Sequence, residues 1–476
     1  MSQTYRNTPD PHETGMPGGV PYIVGNEAAE RFSFYGMKGI LTVFMTQYLL
    51  DAQGNSAFMN DEDAKVWYHL FTGAAYFTPI IGAVIADVFF GKYLTILSLS
   101  LMYCLGHGCL AVMDIAPTHL GMDMKPWLIA GMFFIALGAG AIKPCVSAHV
   151  GDQFGTGNKH LLTQVFNWFY FSINLGAVSS IYLTPILLKE YGPAWAFGLP
   201  GILMAIATFV FWLGRHQFIH IPASGREKFL AETFSKDGKK ALLSLSPLFV
   251  IFVPMFWAIF DQTGGAWVLQ ATNMDPNFLG TTWLPAQVQF VNPALILIGI
   301  PVFTYVIYPF MGKFFEPTPL RKIGIGFVLT ALSFVISAWI ETRIQSGQTP
   351  SIGWQFLAYL VLTSGEIMVS IVCLEFAYTQ SPPKMKSFIM GVYFLGVSIG
   401  NFFTSGVNKF MDMTKDADGV SPLSGANYYW FFAGLMIVTT IFYVIFAKFL
   451  YKGQTYIQGE DSAEQAHAEA EHGDIH

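Results

Sequence analysis

Charge is what this chain lacks. Of its 476 residues only 12% are Asp, Glu, Lys or Arg, while 53% are apolar, among them 44 Phe and 11 Trp. Soluble proteins carry about 25% charged residues. So sparse a polar surface cannot coat a water-soluble globule, which excludes both a soluble enzyme and a disordered protein. Cysteine is scarce as well: Cys104, Cys109, Cys145 and Cys373 all lie inside apolar stretches, which argues against a disulfide framework. The patterns GxxxxGK[ST], HExxH, CxxC and GxSxG are missing, so no nucleotide loop, metal site, cofactor site or catalytic nucleophile is expected. A basic field for nucleic acid is missing too, since the net charge is −6 and much of the acid falls between Glu460 and Asp474. Residues 1–20 are polar and rich in Pro and Gly, without the apolar core of a signal peptide, so the first span is expected to serve as the internal signal.

What is present is a succession of apolar runs, each about long enough to cross a bilayer. They fall near 22–50, 67–90, 94–114, 127–148, 162–188, 194–214, 244–271, 286–311, 323–340, 354–380, 388–411 and 426–447. Only one long polar link interrupts them, Arg215 to Leu243, near the midpoint of the chain. The layout therefore reads as six spans plus six. The expected organisation is an N-terminal tail (1–21), a six-helix bundle (22–214), a linker (215–243), a second six-helix bundle (244–452) and a disordered acidic tail (453–476). Two such halves are the layout of the major facilitator architecture, an all-α fold with its site at midplane between the bundles. Other twelve-span folds stay open on count alone. If the N-terminus is cytoplasmic, sixteen of the 25 Lys and Arg fall on inside segments, six on outside loops and three within spans. That asymmetry places both termini in the cytoplasm of a multi-pass cell-membrane protein.

The few charges that lie within spans carry the functional signal. In the first span Glu27, Glu30, Arg31, Phe34, Tyr35 and Lys38 share an arc of about 140°. An ionisable group at a helix centre costs about 2.5–3.5 kcal/mol on insertion scales, so this stripe cannot face lipid. A solvated helix start at Glu27 and Glu30, or a static ion-pair role for Arg31 and Lys38, competes with a charged wall of an aqueous cavity, and the cavity is the favoured reading. Lys143 in span four, Asp261 in span seven and Glu366 in span ten complete a set of four acids and three bases. Such a set has room for one exchangeable proton, although static pairs would give the same count. His69, two turns before Tyr76 on one face, is either a hydrogen-bonded structural residue or an alternative proton site. Asn174 follows Tyr170 by one turn, Asn292 precedes a Pro, and Tyr359 shares a face with Glu366. Glu375 points away from that face and is expected to make an interhelical or cytoplasmic-end contact. The GAGAIK segment of span four is read as close helix packing, and the EQAHAEAEH tail as a solvated end or a weak metal binder.

Three motifs make the chain recognisable. They are Glu27-Ala-Ala-Glu30-Arg31-Phe32-Ser33-Phe34-Tyr35-Gly36, the stretch from Gly82 to Gly106 (GAVIADVFFGKYLTILSLSLMYCLG), and Phe166 to Ala177 (FNWFYFSINLGA). The sequence resembles the proton-coupled oligopeptide transporter family of the major facilitator superfamily over nearly all of its membrane-spanning part. The resemblance implies that Arg31 and Lys143 attract a peptide carboxylate, with Glu27 and Glu30 coupling the charge of Arg31 to protonation. Asn174, Asn292 and Glu366 would hold the amino end. Tyr35, Tyr76 and Tyr170 would follow the backbone, with Trp257 and Tyr393 also at the substrate. Lys38 and Asp261 would pair across the halves as a gate, with Asp261 and His69 joining Glu27 and Glu30 in proton coupling.

The departures from the family pattern bear on preference rather than on class. Phe34 replaces the first Tyr of a pair, Lys38 replaces an Arg and loses its bidentate fork, and Tyr393 stands where Trp is common. The large loop between spans nine and ten of animal members and the two extra helices of many bacterial ones are both missing. A compact twelve-helix prokaryotic member with an animal-like core is expected. The implied activity is proton symport of di- and tripeptides through the lipid bilayer by alternating access, as a monomer. Transport of nitrate or another small organic solute, or a passive channel, are the competing functions.

Overall fold

The structure is a computed structural model that describes residues 5–451 apart from 224, 380–385 and 418. The expected acidic tail lies outside the described residues. Six long helices come first: α1 (Val20–Gln47), α2 (Asp61–Val84), α3 (Gly91–Met113), α4 (Met124–Gly151), α5 (Leu162–Tyr191) and α6 (Pro193–Leu213). The polar link contains α7 (Arg226–Thr233) and the start of α8 (Lys236–Pro247). Then follow α9 (Val253–Phe260), α10 (Ala266–Ala271), and a small hairpin of β1 (Asn277–Phe278) and β2 (Thr281–Thr282). Next come α11 (Val291–Val302), α12 (Tyr308–Met311), α13 (Pro319–Gln345), α14 (Gly353–Glu366), α15 (Val372–Thr379), α16 (Lys386–Met413) and α17 (Ala426–Ile445).

Helix overlaps every one of the twelve apolar runs. Among the described residues nine helical segments are long and apolar enough to cross a membrane, where twelve spans were expected. One of the nine, Asp61–Met113, holds two of the expected spans in 53 residues. Its halves are α2 and α3, joined by a π-helical turn at Ile85–Phe90 and then Gly91, whose φ of +73° no side-chain-bearing residue adopts readily. α1 falls outside the nine because its charge stripe breaks every spanning-length window.

Local chemistry sets the helix ends. Asn60 caps α2 by accepting from the Asp63 amide, and Asp61, Glu62 and Asp63 place negative charge on its first turn, where the helix dipole favours it. Thr318 caps α13 in the same way with Pro319 following. Gly192 (φ +81°) ends α5, and Pro193 opens α6. One buried apolar core draws on residues between Val20 and Phe218, and another on residues between Leu245 and Phe446.

Small residues bring the helices of the first core together, as the GAGAIK segment suggested. A Cβ added at Gly140 of α4 would overlap the Thr78 hydroxyl and the Ala75 carbonyl of α2. One at Gly138 would meet Tyr103 of α3 at 2.8 Å. Backbones this close gain dispersion contacts that lipid tails cannot supply.

The seventh run, 244–271, falls within the candidate span Lys239–Ala271, but the helix there is not uniform. A π-helical turn (Leu248–Phe252) precedes α9, a 3-10 turn at Asp261–Gly264 follows it, and Gly265 (φ −113°, ψ −96°) separates that turn from α10. Gly264 lets this stretch pack closely, since an added Cβ there would overlap the Tyr68 hydroxyl of α2. The carbonyl freed by the break is taken by the Thr42 hydroxyl of α1 at 2.6 Å. Unwound backbone at membrane depth is tolerated where protein satisfies it, and Asp261 sits at that break.

Gly140→Leu therefore forces α2 and α4 apart and should destabilise the protein by about 1–3 kcal/mol, read as a lower melting temperature in detergent. Gly434→Ala on α17, where nothing lies within 4 Å, should leave melting unchanged or raise it. Equal melting for Gly140→Leu and the parent would refute the packing account.

Candidate functional site

Glu27, Glu30, Arg31 and Lys38 of α1 are all buried. Arg31 Nε lies 2.6 Å from Glu27 Oε1 and 2.9 Å from Glu30 Oε2, with all three side chains at most 9% exposed. Gly176 of α5 makes room for this group, since a Cβ there would meet the Arg31 Cβ at 3.0 Å. One guanidinium thus serves two carboxylates, which leaves a formal charge of −1. The Glu30 Oε1 atom is buried and has no hydrogen-bond partner.

Lys143 of α4 is held differently. Its ammonium lies 4.2 Å from the centre of the Phe34 ring and 4.2 Å from that of Tyr76, and it makes no hydrogen bond. Two π faces hold the cation while its three N–H donors stay unused. Phe34 serves this purpose without a hydroxyl. Tyr35 is half-buried with its ring edge-on to Phe34. Asn174 of α5 is buried. Tyr170 lies on α5 with its side chain outside the described residues, as does that of Glu375 on α15.

In the second half Glu366 closes α14, immediately before a π-helical turn at Ile367–Ile371. Such insertions are frequent at functional sites. The Asn292 side-chain amide donates to Glu366 Oε2 at 2.6 Å and to the Thr363 hydroxyl at 3.0 Å. Tyr359 does not join this group; its hydroxyl donates toward the Thr263 carbonyl at the helix break. Trp257 packs against Phe260 and lies 6.5 Å from Tyr393, which in turn contacts Phe394. Phe394 stacks on Tyr76 of the first half at 6.2 Å. An aromatic run therefore leads from Trp257 to the Lys143 cage across the two halves. The Trp257 indole N–H and the Ser370 hydroxyl are buried beside the Tyr393 hydroxyl. Sequence reasoning missed Ser370 because a serine within a span carries little signal.

A third group ties the halves directly. Lys38 of α1 reaches Asp261 Oδ1 at 2.8 Å, both side chains under a tenth exposed. The other Asp261 oxygen accepts from the Asn401 amide of α16 at 2.7 Å, and Asn401 Oδ1 lies 2.8 Å from His69 Nδ1 of α2. Because the Asn401 nitrogen is donating to Asp261 and to the Val397 carbonyl, its oxygen faces the ring and His69 Nδ1 is the donor. That fixes the tautomer and leaves His69 Nε2 a buried acceptor with no partner. Lys38, Asp261, Asn401 and His69 form one chain of polar contacts drawn from four helices. Asn401 was missed, although an amide in the middle of an apolar run (SIGNFF) is itself a signal.

Further contacts reinforce this closure. The Gln289 side chain donates to the Gly39 carbonyl at 2.9 Å, Ser398 to that of Gly73 at 2.7 Å and Ser405 to that of Val66 at 3.1 Å. Near the tip Lys415 pairs with Glu62 at 2.9 Å. All of these contacts lie between the middle of the helices and the end where α1 stops and α2 begins.

Known proteins resemble this chain over most of its length. The family description "POT family" matches residues 93–236 and 227–431. The chain is 38% identical to peptide transporter family 1 of Drosophila melanogaster over 368 residues, 69% of this chain and 48% of that protein. It is 35% identical to solute carrier family 15 member 2 of Mus musculus over 412 residues, 77% of this chain and 55% of that one. The chain thus spans about half the length of these curated relatives. Among solved structures, an auto-inhibited POT family peptide transporter superposes with a TM-score of 0.80 at 31% identity, over 93% of this chain and 99% of that one. A second POT family transporter gives 0.78 at 33% identity, over 91% and 98%. Both are transporters rather than enzymes.

The gate geometry is testable alone. Lys38→Met leaves Asp261 a buried carboxylate without its cation, which should cost about 3–5 kcal/mol. Lys38→Met with Asp261→Asn removes both charges and should recover most of that loss in a double-mutant cycle read by thermal unfolding. Additive losses would mean that the two charges do not interact.

Proposed function

The chain belongs to the POT family, and from that membership we propose that it is a proton-coupled symporter that imports di- and tripeptides across the cell membrane. The observation that carries this reading is the opposed pair of sites. An unsatisfied ammonium at Lys143 lies in one half, and a carboxylate at Glu366, steadied by Asn292, lies in the other. A zwitterionic peptide presents the matching charges. Its carboxylate would take the free N–H groups of Lys143 and draw on Arg31, and its amino end would take Glu366, Asn292 and Asn174. Tyr35, Tyr76 and Tyr170 would serve the backbone, and Trp257 and Tyr393 the side chains. Nitrate has no use for the Glu366–Asn292 end, and a passive channel has none for ion pairs that bolt its halves together.

Coupling follows from charge balance. When a peptide carboxylate engages Arg31, the guanidinium is shared among three acids, and a proton taken by Glu30 or Glu27 relieves the excess. At the gate, a proton on Asp261 removes the partner of Lys38 and loosens the closed end, with His69 Nε2 as a neighbouring proton acceptor. Opening that end and closing the other would be a rocking of the bundles 22–214 and 244–452. The same reading gives a compact, prokaryotic-type monomer with both termini cytoplasmic, so that the bonded end is the outer one.

In proteoliposomes loaded with a pH dye, dialanine and trialanine should acidify the lumen. Lys143→Ala should weaken apparent peptide affinity by about tenfold or more, the value of a lost charge-assisted hydrogen bond, and Arg31→Ala should abolish peptide-driven proton flux. Nitrate should drive none. Failure of both peptides to move protons in the parent would sink the proposal.

A further inference from the structure

A groove of about 720 Å³ runs between α13 and α17 on the outer surface, remote from the charged clusters above. Its walls are Gly324 and Val328 on one side and Val444 on the other, with Tyr443 between them. The Tyr443 ring is buried, and its hydroxyl donates to the Leu320 carbonyl at 2.8 Å, which fixes the floor. A Cβ added at Gly324 would meet that ring at 3.3 Å, so the glycine leaves the floor open. Around the groove Leu332, Val438, Ile441 and Ile445 are exposed, as a hydrocarbon-facing surface requires.

The charges sit at one end only. Arg321 occupies the first turn of α13, and Lys448 lies just past the end of α17. Both line the groove, and among the described residues neither forms an ion pair. Glu316, the acid nearest to Arg321 in sequence, meets it through its backbone carbonyl at 2.9 Å. No Asp or Glu lines the groove. From Lys448 back to Thr440, the other end of the α17 wall, a helix rises about 12 Å, the depth of the upper part of an acyl chain.

We propose that this groove binds an anionic phospholipid, with its phosphodiester between Arg321 and Lys448 and one acyl chain along Val444, Gly324 and Val328. The charge pattern selects the occupant. A zwitterionic lipid leaves two cations with a headgroup that already carries its own, and a free anion makes no use of an apolar trough. Basic pockets between helices near the cytoplasmic interface are the recurrent form of such sites. The proposal is independent of the transported solute.

The test uses the full chain in detergent, incubated with equal amounts of phosphatidylglycerol and phosphatidylcholine and read by native mass spectrometry. Phosphatidylglycerol should be retained in preference. Arg321→Gln with Lys448→Gln should weaken its binding by roughly thirtyfold, the effect of two cations near a lipid surface. Val444→Trp fills the trough, leaves both charges in place and should also lose the lipid. Lys189→Gln, at an exposed position elsewhere, should behave as the parent. Equal retention of phosphatidylcholine by the parent, undiminished phosphatidylglycerol on the double variant, or displacement of the lipid by inorganic phosphate alone would each overturn the proposal.

Discussion

A charge buried in a membrane protein is costly without a partner, and the Lys38–Asp261 pair is where that cost shapes the fold. Among the described residues neither group forms an ion pair within its own half, so the pair ties the first bundle to the second. Breaking such a pair by removing one member is costly, whereas removing both is cheap. A contact of that kind makes a good latch. It draws on both charges at once, and the Gln289, Ser398, Ser405 and Lys415 contacts hold the same end closed beside it.

The broken seventh span follows from the same requirement. A continuous helix at 261–265 would send the Gly264 carbonyl back into its own hydrogen-bond ladder. The break instead offers it to Thr42 of the opposite half and sets Asp261 between Lys38 and Asn401. Gly264 permits the arrangement because Tyr68 fills the space a side chain would occupy. Tyr68 also lies 5.3 Å from the Lys38 ammonium, so one ring packs the break and shields the charge that the break serves. The Asn401 amide links this group to His69, its nitrogen donating to Asp261 while its oxygen accepts from the ring.

Much of this was legible in the sequence for a simple reason. Apolar runs of spanning length and ionisable exceptions within them are strong signals, because the bilayer penalises every deviation. The places of the helices and the clustering of Glu27, Glu30, Arg31 and Lys38 on one face followed directly. The hidden part was whatever depends on which helices meet. Asn401, Ser398 and Gln289 are neutral polar residues whose importance comes from a backbone or carboxylate supplied by a segment 140 to 325 residues away. The break at Gly265 was hidden too, since hydropathy does not distinguish a wound residue from an unwound one. Glu375 and Tyr170 show the opposite limit: sequence spacing places them on helix faces, but facing alone does not assign a contact.

Lys143 and Lys38 together show how one residue type yields two behaviours within membrane helices. Lys38 faces a carboxylate and is neutralised by it. Lys143 faces two rings, which soften the cost of its charge without using its hydrogens. Phe34 matters more here than the hydroxyl it lacks. A tyrosine at that position would offer an oxygen that competes for the ammonium, whereas a phenyl ring holds the cation and leaves its donors free. The aromatic run from Trp257 through Tyr393 and Phe394 reaches Tyr76, so one wall of the Lys143 cage is packed against the other bundle.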